Sequence, residues 1–179
     1  MTTSFPVNGK FTPKQKQIYD IVLKCNRVVL ASLKPGVNWK DMHLLSERTM
    51  FEEFLKLGLV IGSVDEMMEQ RLGFIFMPCG LGHFIGLDVH DVGGYMKGIF
   101  ETPERDQRAG LKNLRTAREL HPNMVITIEP GIYFRDFLLD GDFDKEAYPI
   151  ELKFLNLEKI REYQKEVQGV RIEDVVAIT

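Results

Sequence analysis

The sequence has little of what defines several large protein classes. Only two of its 179 residues are cysteine, Cys25 and Cys79, and they do not form a C-x-x-C motif. No apolar run approaches the roughly 20 residues of a membrane span, and residues 1–12 lack the apolar core of a signal peptide. We therefore expect a cytoplasmic protein with reduced thiols and no membrane partner.

Positive charge is not in excess either. The 23 lysines and arginines are outnumbered by 26 aspartates and glutamates, which gives a formal net charge of −3. This balance provides no broad basic surface, so we expect no nucleic-acid partner. The composition, 44% hydrophobic and 27% charged, is that of a globular protein. Its length suits one domain over residues 1–179.

The N-terminal part of the chain carries helix signals and no evident chemistry. Thr12-Pro13-Lys14-Gln15 has the residues of a capping box, and apolar residues then recur at helical spacing until Pro35-Gly36. Cys25 lies on this apolar stripe and is expected in the core. A second helix is predicted from Asn38 to Leu57, and a shorter one from Ser63 to near Gly73.

The later part of the chain changes to strand signals and glycine. Strands are predicted at Phe74–Met77, Met124–Glu129 and Val170–Ile178. An acidic loop is predicted at Asp136–Asp144, and a short helix within Ile150–Tyr163. Helices first and strands later predict an α+β domain.

Two predicted strands contain a carboxylate where an apolar residue would be expected. Strand alternation places Glu129 on the face of Thr127, and Glu173 on the face of Arg171. A buried carboxylate must be paired, protonated or bound to a metal ion. Two simpler interpretations stay open: Glu129 faces water at a strand end, and Glu173 forms an ion pair with Arg171.

A glycine-rich run, residues 77–94, supplies two histidines. His83 follows Gly-Leu-Gly, which lets backbone come close to whatever the imidazole contacts. His90 lies between Asp88 and Asp91, either of which could orient its ring. Together with the two glutamates on strands, these histidines favour a metal site, and the donor set suits Mn, Zn, Co or Fe.

Other site chemistries find little support in the sequence. It contains no H-E-x-x-H motif, zinc ribbon or Walker A loop. Gly93-Gly94 lacks the strand-then-helix frame of a dinucleotide fingerprint. Cys79 near His83 could form a nucleophilic pair, but no other residue supports a cysteine protease.

The chain resembles the catalytic half of the pita-bread metallopeptidases, and within them the prolidase and aminopeptidase P group. The resemblance implies a partial pita-bread domain, in which helices cover a curved antiparallel sheet. It also implies a hydrolase that cleaves Xaa-Pro dipeptides with two divalent ions, often manganese. The segments that carry it follow the family's order: Ser4–Phe11, Leu33–Val37, Gly80–Gly94, Leu114–Arg118, Thr127–Phe134 and Val170–Val175.

The same resemblance implies residue roles. His83, Glu129 and Glu173 correspond to metal ligands, and Glu129 also corresponds to a proton shuttle. His90 corresponds to the residue that binds the scissile carbonyl, and Arg115 to the residue that holds the C-terminal carboxylate of the substrate. Metals lower the pKa of bound water, and His90 would stabilise developing oxyanion charge, so these roles agree with general chemistry.

Two departures from the family pattern bear on activity. Both aspartate ligands of the family would lie upstream of Met1, so we expect a truncated C-terminal catalytic domain without the family's N-terminal domain. Two missing carboxylates would weaken metal binding by about 6 kcal/mol, so we expect one ion or none and impaired hydrolysis. Cys79 replaces a histidine that lines the family's active site, which supports the alternative of a non-catalytic protein-binding module.

Truncation would also leave sheet edges without their neighbouring strands. Unpaired edges and an exposed apolar face favour association. We therefore expect a homo-oligomer formed through exposed sheet edges.

Overall fold

A computed structural model describes residues 1–98, 103–146 and 150–179. Within these ranges the chain forms helices and short antiparallel strands, and several 3₁₀ turns join them. The helices are α1 (Pro13–Ser32), α2 (Trp39–Leu57), α3 (Val64–Glu69), α4 (Asp136–Leu139) and α5 (Leu157–Val167). The strands are β1 (Val125–Ile128), β2 (Gly131–Tyr133), β3 (Gly169–Arg171) and β4 (Asp174–Ala177).

The helix boundaries follow capping residues that are visible in the sequence. Thr12 accepts a hydrogen bond from the Gln15 amide, and the Gln15 side chain accepts one from the Thr12 amide, which confirms the predicted capping box of α1. Asn38 caps α2, and Gly58 ends that helix in the left-handed conformation at φ 67°. Ser63 caps α3, which is shorter than predicted.

Two predictions in the middle of the chain are wrong. Phe74–Met77 is not a strand, because a 3₁₀ turn occupies Leu72–Ile75. A short apolar run does not distinguish a strand from a buried helical turn, and this run is buried. The acidic segment Asp136–Asp144 is not all loop, because it begins with α4, whose Leu138 and Leu139 are fully buried.

Two predictions near the C-terminus need correction. The strand predicted at Val170–Ile178 is divided at Ile172 and Glu173 into β3 and β4, which pair with different partners. Local alternation cannot reveal such a break, because both halves remain extended. The helix predicted within Ile150–Tyr163 is present but extends past Tyr163, because α5 runs from Leu157 to Val167 after a 3₁₀ turn at Leu152–Phe154.

The strands form two antiparallel ladders beneath the helices. In one, β1 pairs with β4 from Val125 opposite Ala177 to Ile128 opposite Asp174. In the other, β2 pairs with β3. The Asn26 side chain on α1 donates a hydrogen bond to the Ile128 carbonyl at 3.2 Å, which holds α1 over the end of β1. The predicted α+β class, with helices over antiparallel strands, is confirmed.

Two hydrophobic clusters form the core. The larger lies between α1, α2 and α5, where Phe54 and Phe76 pack edge to face with ring centroids 4.9 Å apart. The smaller surrounds Trp39 and Ile126. Cys25 is buried in the larger cluster, as predicted, and both cysteines are free. In the described part of the chain, no helix is both long and apolar enough to cross a membrane.

Candidate metal centre

Residues 81–85 run along β1 and place His83 beside Glu129. The Thr127 amide donates to the His83 carbonyl at 2.9 Å, within an antiparallel bridge between the two segments. The approach is so close that a Cβ on Gly82 would lie 1.9 Å from the Thr127 carbonyl oxygen. This is the close backbone contact that the Gly-Leu-Gly sequence predicts.

The His83 ring has one nitrogen available as a ligand. Its Nδ1 lies 2.8 Å from the Phe84 carbonyl oxygen. A carbonyl only accepts, so Nδ1 carries the proton and Nε2 holds the lone pair. Nε2 lies 3.1 Å from Oε1 of Glu129. Two acceptors facing each other at this distance need a proton or a cation between them, and a metal ion fits that requirement.

Glu129 is buried, and both of its carboxylate oxygens have protein partners. Thr127 Oγ1 donates to Oε1 at 3.0 Å, and Arg171 Nη1 donates to Oε2 at 2.9 Å. Only 9% of Glu129 is exposed, so the interpretation that it faces water is wrong. The interpretation that Glu173 forms an ion pair with Arg171 is wrong as well, because Arg171 pairs with Glu129.

Glu173 lies at the break between β3 and β4, where the chain passes from one ladder to the other. Its carboxylate accepts a hydrogen bond from Thr2 Oγ1 at 2.6 Å, and its amide donates to the Thr2 carbonyl. One ligand atom from each of His83, Glu129 and Glu173 lies within 4.8 Å of the other two. The structure thus brings together the three residues that the sequence suggests as metal ligands.

His90 lies next to this cluster. Its ring is 4.4 Å from the His83 ring, centroid to centroid, in an edge-on contact. Partial desolvation, the positive charge of Arg115 and the nearby His83 ring lower the pKa of His90, while Glu129 and Glu173 act in the opposite direction. His90 is therefore neutral at neutral pH and keeps an N–H to donate.

The aspartates near His90 in the sequence are not its hydrogen-bond partners. Among the described residues, no hydrogen bond joins His90 to Asp88 or Asp91. Instead, Asp91 Oδ1 accepts from the Val92 amide at 2.9 Å. The orienting role predicted for an aspartate is therefore absent here.

Arg115 is held in place by the glycines that follow His90. A Cβ on Gly94 would lie 1.9 Å from the Arg115 carbonyl oxygen, so the two backbones are in direct contact. Arg118 Nη1 donates to the Gly93 carbonyl at 3.0 Å and ties the same two segments together. A guanidinium beside neutral His90 can bind an anionic group such as a carboxylate.

A cavity of about 230 Å³ joins these residues into one site. Five of the six residues suggested by the sequence line it, and the sixth, Glu173, completes the ligand cluster beside it. Sequence reasoning missed Asn113, and it did not see that Thr127 and Arg171 support Glu129. Strand alternation does place Thr127 on the face of Glu129. The lining residues are Cys79, Gly80, Gly82, His83, His90, Asn113, Arg115, Glu129 and Arg171.

Imidazole and carboxylate groups that converge beside a pocket lined by two arginines define this α+β domain as one with a candidate metal centre. The model of Metallopeptidase family M24 matches residues 1–179. The chain belongs to this family.

Known relatives agree with this assignment. The chain is 52% identical over 179 residues to the Xaa-Pro dipeptidase of Rattus norvegicus, covering all of this chain and 35% of that protein. Zinc-substituted E. coli aminopeptidase P in complex with product superposes with a TM-score of 0.66 at 34% identity, over 98% of this chain and 31% of that one. Aminopeptidase PepP of Pseudomonas aeruginosa gives a TM-score of 0.65 at 32% identity, over 98% of this chain and 31% of that one.

These superpositions confirm the predicted pita-bread fold. The chain spans about a third of the length of the curated relatives it matches.

Proposed function

We propose that this chain is part of the catalytic domain of an Xaa-Pro dipeptidase and binds a divalent metal ion through His83, Glu129 and Glu173. The observation that carries the proposal is the convergence of their three ligand atoms within 4.8 Å. Imidazole and carboxylate donors suit manganese, which we propose as the ion. A divalent ion held there would polarise a carbonyl and lower the pKa of water.

The protein side chains have distinct tasks in this proposal. Glu129, held by Thr127 and Arg171, has a fixed carboxylate that can accept a proton from the attacking water. Neutral His90 donates a hydrogen bond to the scissile carbonyl and stabilises the charge that develops on its oxygen. Arg115 binds the C-terminal carboxylate, and the contact of its backbone with Gly94 sets the substrate length so that dipeptides are favoured over longer substrates.

A chimera tests the function. The family's two aspartate ligands have no counterpart in residues 1–179, so we propose that a polypeptide of these residues alone binds Mn²⁺ weakly and hydrolyses little Gly-Pro. Fusing the preceding residues of the rat Xaa-Pro dipeptidase should restore Gly-Pro hydrolysis in the presence of Mn²⁺. In that chimera His83→Ala should abolish turnover, while His121→Ala, at an exposed histidine, should leave it unchanged. A His83→Ala chimera that remains fully active would refute the metal site.

Cys79 supports a second candidate, a non-catalytic protein-binding module on the same scaffold. Its thiol is exposed in the cavity at the position where the family has a histidine. If the chimera binds no Mn²⁺ by calorimetry, even with Cys79→His, the binding module becomes the better assignment. If Cys79→His raises turnover in a chimera that binds Mn²⁺, the dipeptidase assignment stands.

We also propose that the protein forms a homo-oligomer. β4 pairs with β1 along one edge, and no other described segment forms backbone hydrogen bonds with its opposite edge. An open edge of this kind favours pairing with another chain. The cytoplasmic location stays a prediction, and two free cysteines agree with it.

A further inference from the structure

Thr127 is a fully buried hydroxyl in the middle of an apolar strand. None of its surface is exposed, and its neighbours in β1 are Ile126 and Ile128. Valine has nearly the same shape and would suit such a position without a polar atom. A buried hydroxyl without partners costs about 1–3 kcal/mol. Its presence therefore calls for strong hydrogen bonds.

Those hydrogen bonds reach two residues of the candidate metal centre. The His83 amide donates to Thr127 Oγ1 at 3.0 Å, and Oγ1 donates to Glu129 Oε1 at 3.0 Å. The His83 carbonyl oxygen is a second acceptor at 3.4 Å. The carboxylate is nearer and charged, so it takes the proton. One side chain thus connects the backbone of His83 with the carboxylate of Glu129.

Packing leaves this connection little freedom. A Cβ on Gly82 would lie 2.9 Å from Thr127 Oγ1, so the loop that carries His83 already rests on the hydroxyl. The backbone hydrogen bond from the Thr127 amide to the His83 carbonyl, at 2.9 Å, also fixes the distance between the loop that carries His83 and β1. The His83 loop, the hydroxyl and Glu129 therefore form one rigid unit.

We propose that Thr127 is a positioning residue that sets the separation and orientation of His83 and Glu129 through its hydroxyl. The inference rests on the proposed metal-binding function and adds a residue that does not contact the ion. Groups that hold metal ligands in this way typically change metal affinity by about 10- to 100-fold when removed. The effect should depend on the hydroxyl and not on the methyl group.

The test compares Thr127→Val, which removes the hydroxyl, with Thr127→Ser, which keeps it. In the full chain, the Mn²⁺ dissociation constant is measured from the electron paramagnetic resonance signal of the free ion. We expect affinity to fall about 10- to 100-fold in Thr127→Val and to stay close to wild type in Thr127→Ser. Thr49→Val is the matched control, because Thr49 is also buried but its hydroxyl donates to the Leu45 carbonyl on α2, outside the candidate metal centre.

Unchanged affinity in Thr127→Val would overturn the proposal, and so would equal losses in the valine and serine variants. If Thr127→Val does not fold, Thr127→Ala replaces it in the same comparison. A second readout needs no metal, namely hydrogen exchange of the His83 amide followed by NMR. That exchange should accelerate about tenfold without the hydroxyl and be restored by serine.

The hydrogen-exchange measurement distinguishes failure of the proposed metal-binding function from failure of the proposed role of Thr127. If the wild-type chain binds no Mn²⁺, the proposed metal-binding function fails for this chain. The exchange rate of the His83 amide then tests the positioning role of Thr127 by itself. Faster exchange in the valine variant with rescue by serine supports this role. Equal exchange in all variants refutes it.

Discussion

At the scale of single residues, the two cysteines show how surroundings decide reactivity. Burial raises the pKa of Cys25 to about 12, so its thiol stays protonated and shielded. Cys79 is exposed and lines the cavity together with Arg171. The thiolate is the reactive form and must be reached by solvent, so reactivity is confined to Cys79.

Iodoacetamide should therefore modify the folded protein once, at Cys79. Peptide mass spectrometry should find a carbamidomethyl group on Cys79 and none on Cys25. Cys79→Ser should take up no reagent. Gly-Pro at high concentration should slow the labelling if it occupies the same cavity. Modification of Cys25 in the native protein would contradict the burial on which the prediction depends.

At the scale of elements, a buried ionic cluster joins α2 to the segment that leads to Arg115. His43 Nε2 lies 3.1 Å from Glu47 Oε1. Arg71 Nη2 donates to the same oxygen at 2.8 Å and lies 2.6 Å from Oε2, so one nitrogen faces both oxygens. Arg71 Nε also donates to the Ala109 carbonyl. Burial alone would raise the pKa of Glu47, but His43 and Arg71 outweigh it and lower the pKa below its usual value.

Glu47→Gln should destabilise the fold strongly, because it leaves Arg71 buried without a counter-charge. Removing one partner of a buried pair costs about 3–5 kcal/mol, measurable by urea unfolding at pH 7. Glu52→Gln, at an exposed position on the same helix, should change stability by less than about 0.5 kcal/mol. Similar losses in both variants would show that the cluster adds nothing.

The same cluster predicts a direction of pH dependence. The folded-state pKa of Glu47 is depressed, so its contribution is fully present above the unfolded-state pKa of about 4.3. It is lost as pH falls through the lower folded-state pKa. Wild type should therefore lose stability on acidification from about pH 4 downward more steeply than Glu47→Gln. Parallel pH curves for the two proteins would contradict this.

Contact between the His83 loop and β1 is the second element-scale feature that can be tested. Gly82→Ala would place a methyl group 1.9 Å from the Thr127 carbonyl oxygen, so the loop must move away from β1. We expect a loss of about 1–3 kcal/mol in stability together with weaker Mn²⁺ binding. Gly36→Ala, at φ 90° with open space around it, should cost about 1 kcal/mol through the backbone alone and leave Mn²⁺ binding unchanged.

At the scale of the whole molecule, the proposed homo-oligomer depends on the edge of β4 that no described segment covers. The edge of β1 opposite β4 is covered by residues 81–85. On β2, the Tyr133 amide donates a hydrogen bond to the Phe76 carbonyl. The protein's own segments thus cover parts of both ladders. β4 carries Val175, which is 37% exposed. An apolar side chain beside a free edge favours strand pairing between copies.

Val175→Lys should therefore reduce association, since lysine on an edge strand opposes pairing. Multi-angle light scattering should show a lower average mass for this variant than for wild type. Val7→Lys, at a fully exposed residue that is not part of β4, controls for the added charge. A wild-type protein that is monomeric at all concentrations would refute the proposed homo-oligomer.

The sequence by itself determined the parts of this protein that depend on neighbouring residues. The start of α1 at its Thr12 cap and the end of α2 at Gly58 follow from hydrogen bonds and backbone preferences within a few positions. The family was also readable, because its motifs occur in order along the chain. The residues suggested for the site, including His83 and Glu129, could be named for the same reason.

Only the tertiary structure decided what depends on contacts between distant segments. Arg171 turned out to pair with Glu129, 42 positions away, and not with Glu173, two positions away. The ladder between β2 and β3 brings Arg171 opposite Gly131, next to the end of β1, while the break after β3 turns Glu173 toward Thr2. Local alternation describes only one strand at a time, whereas strand pairing determines which side chains meet.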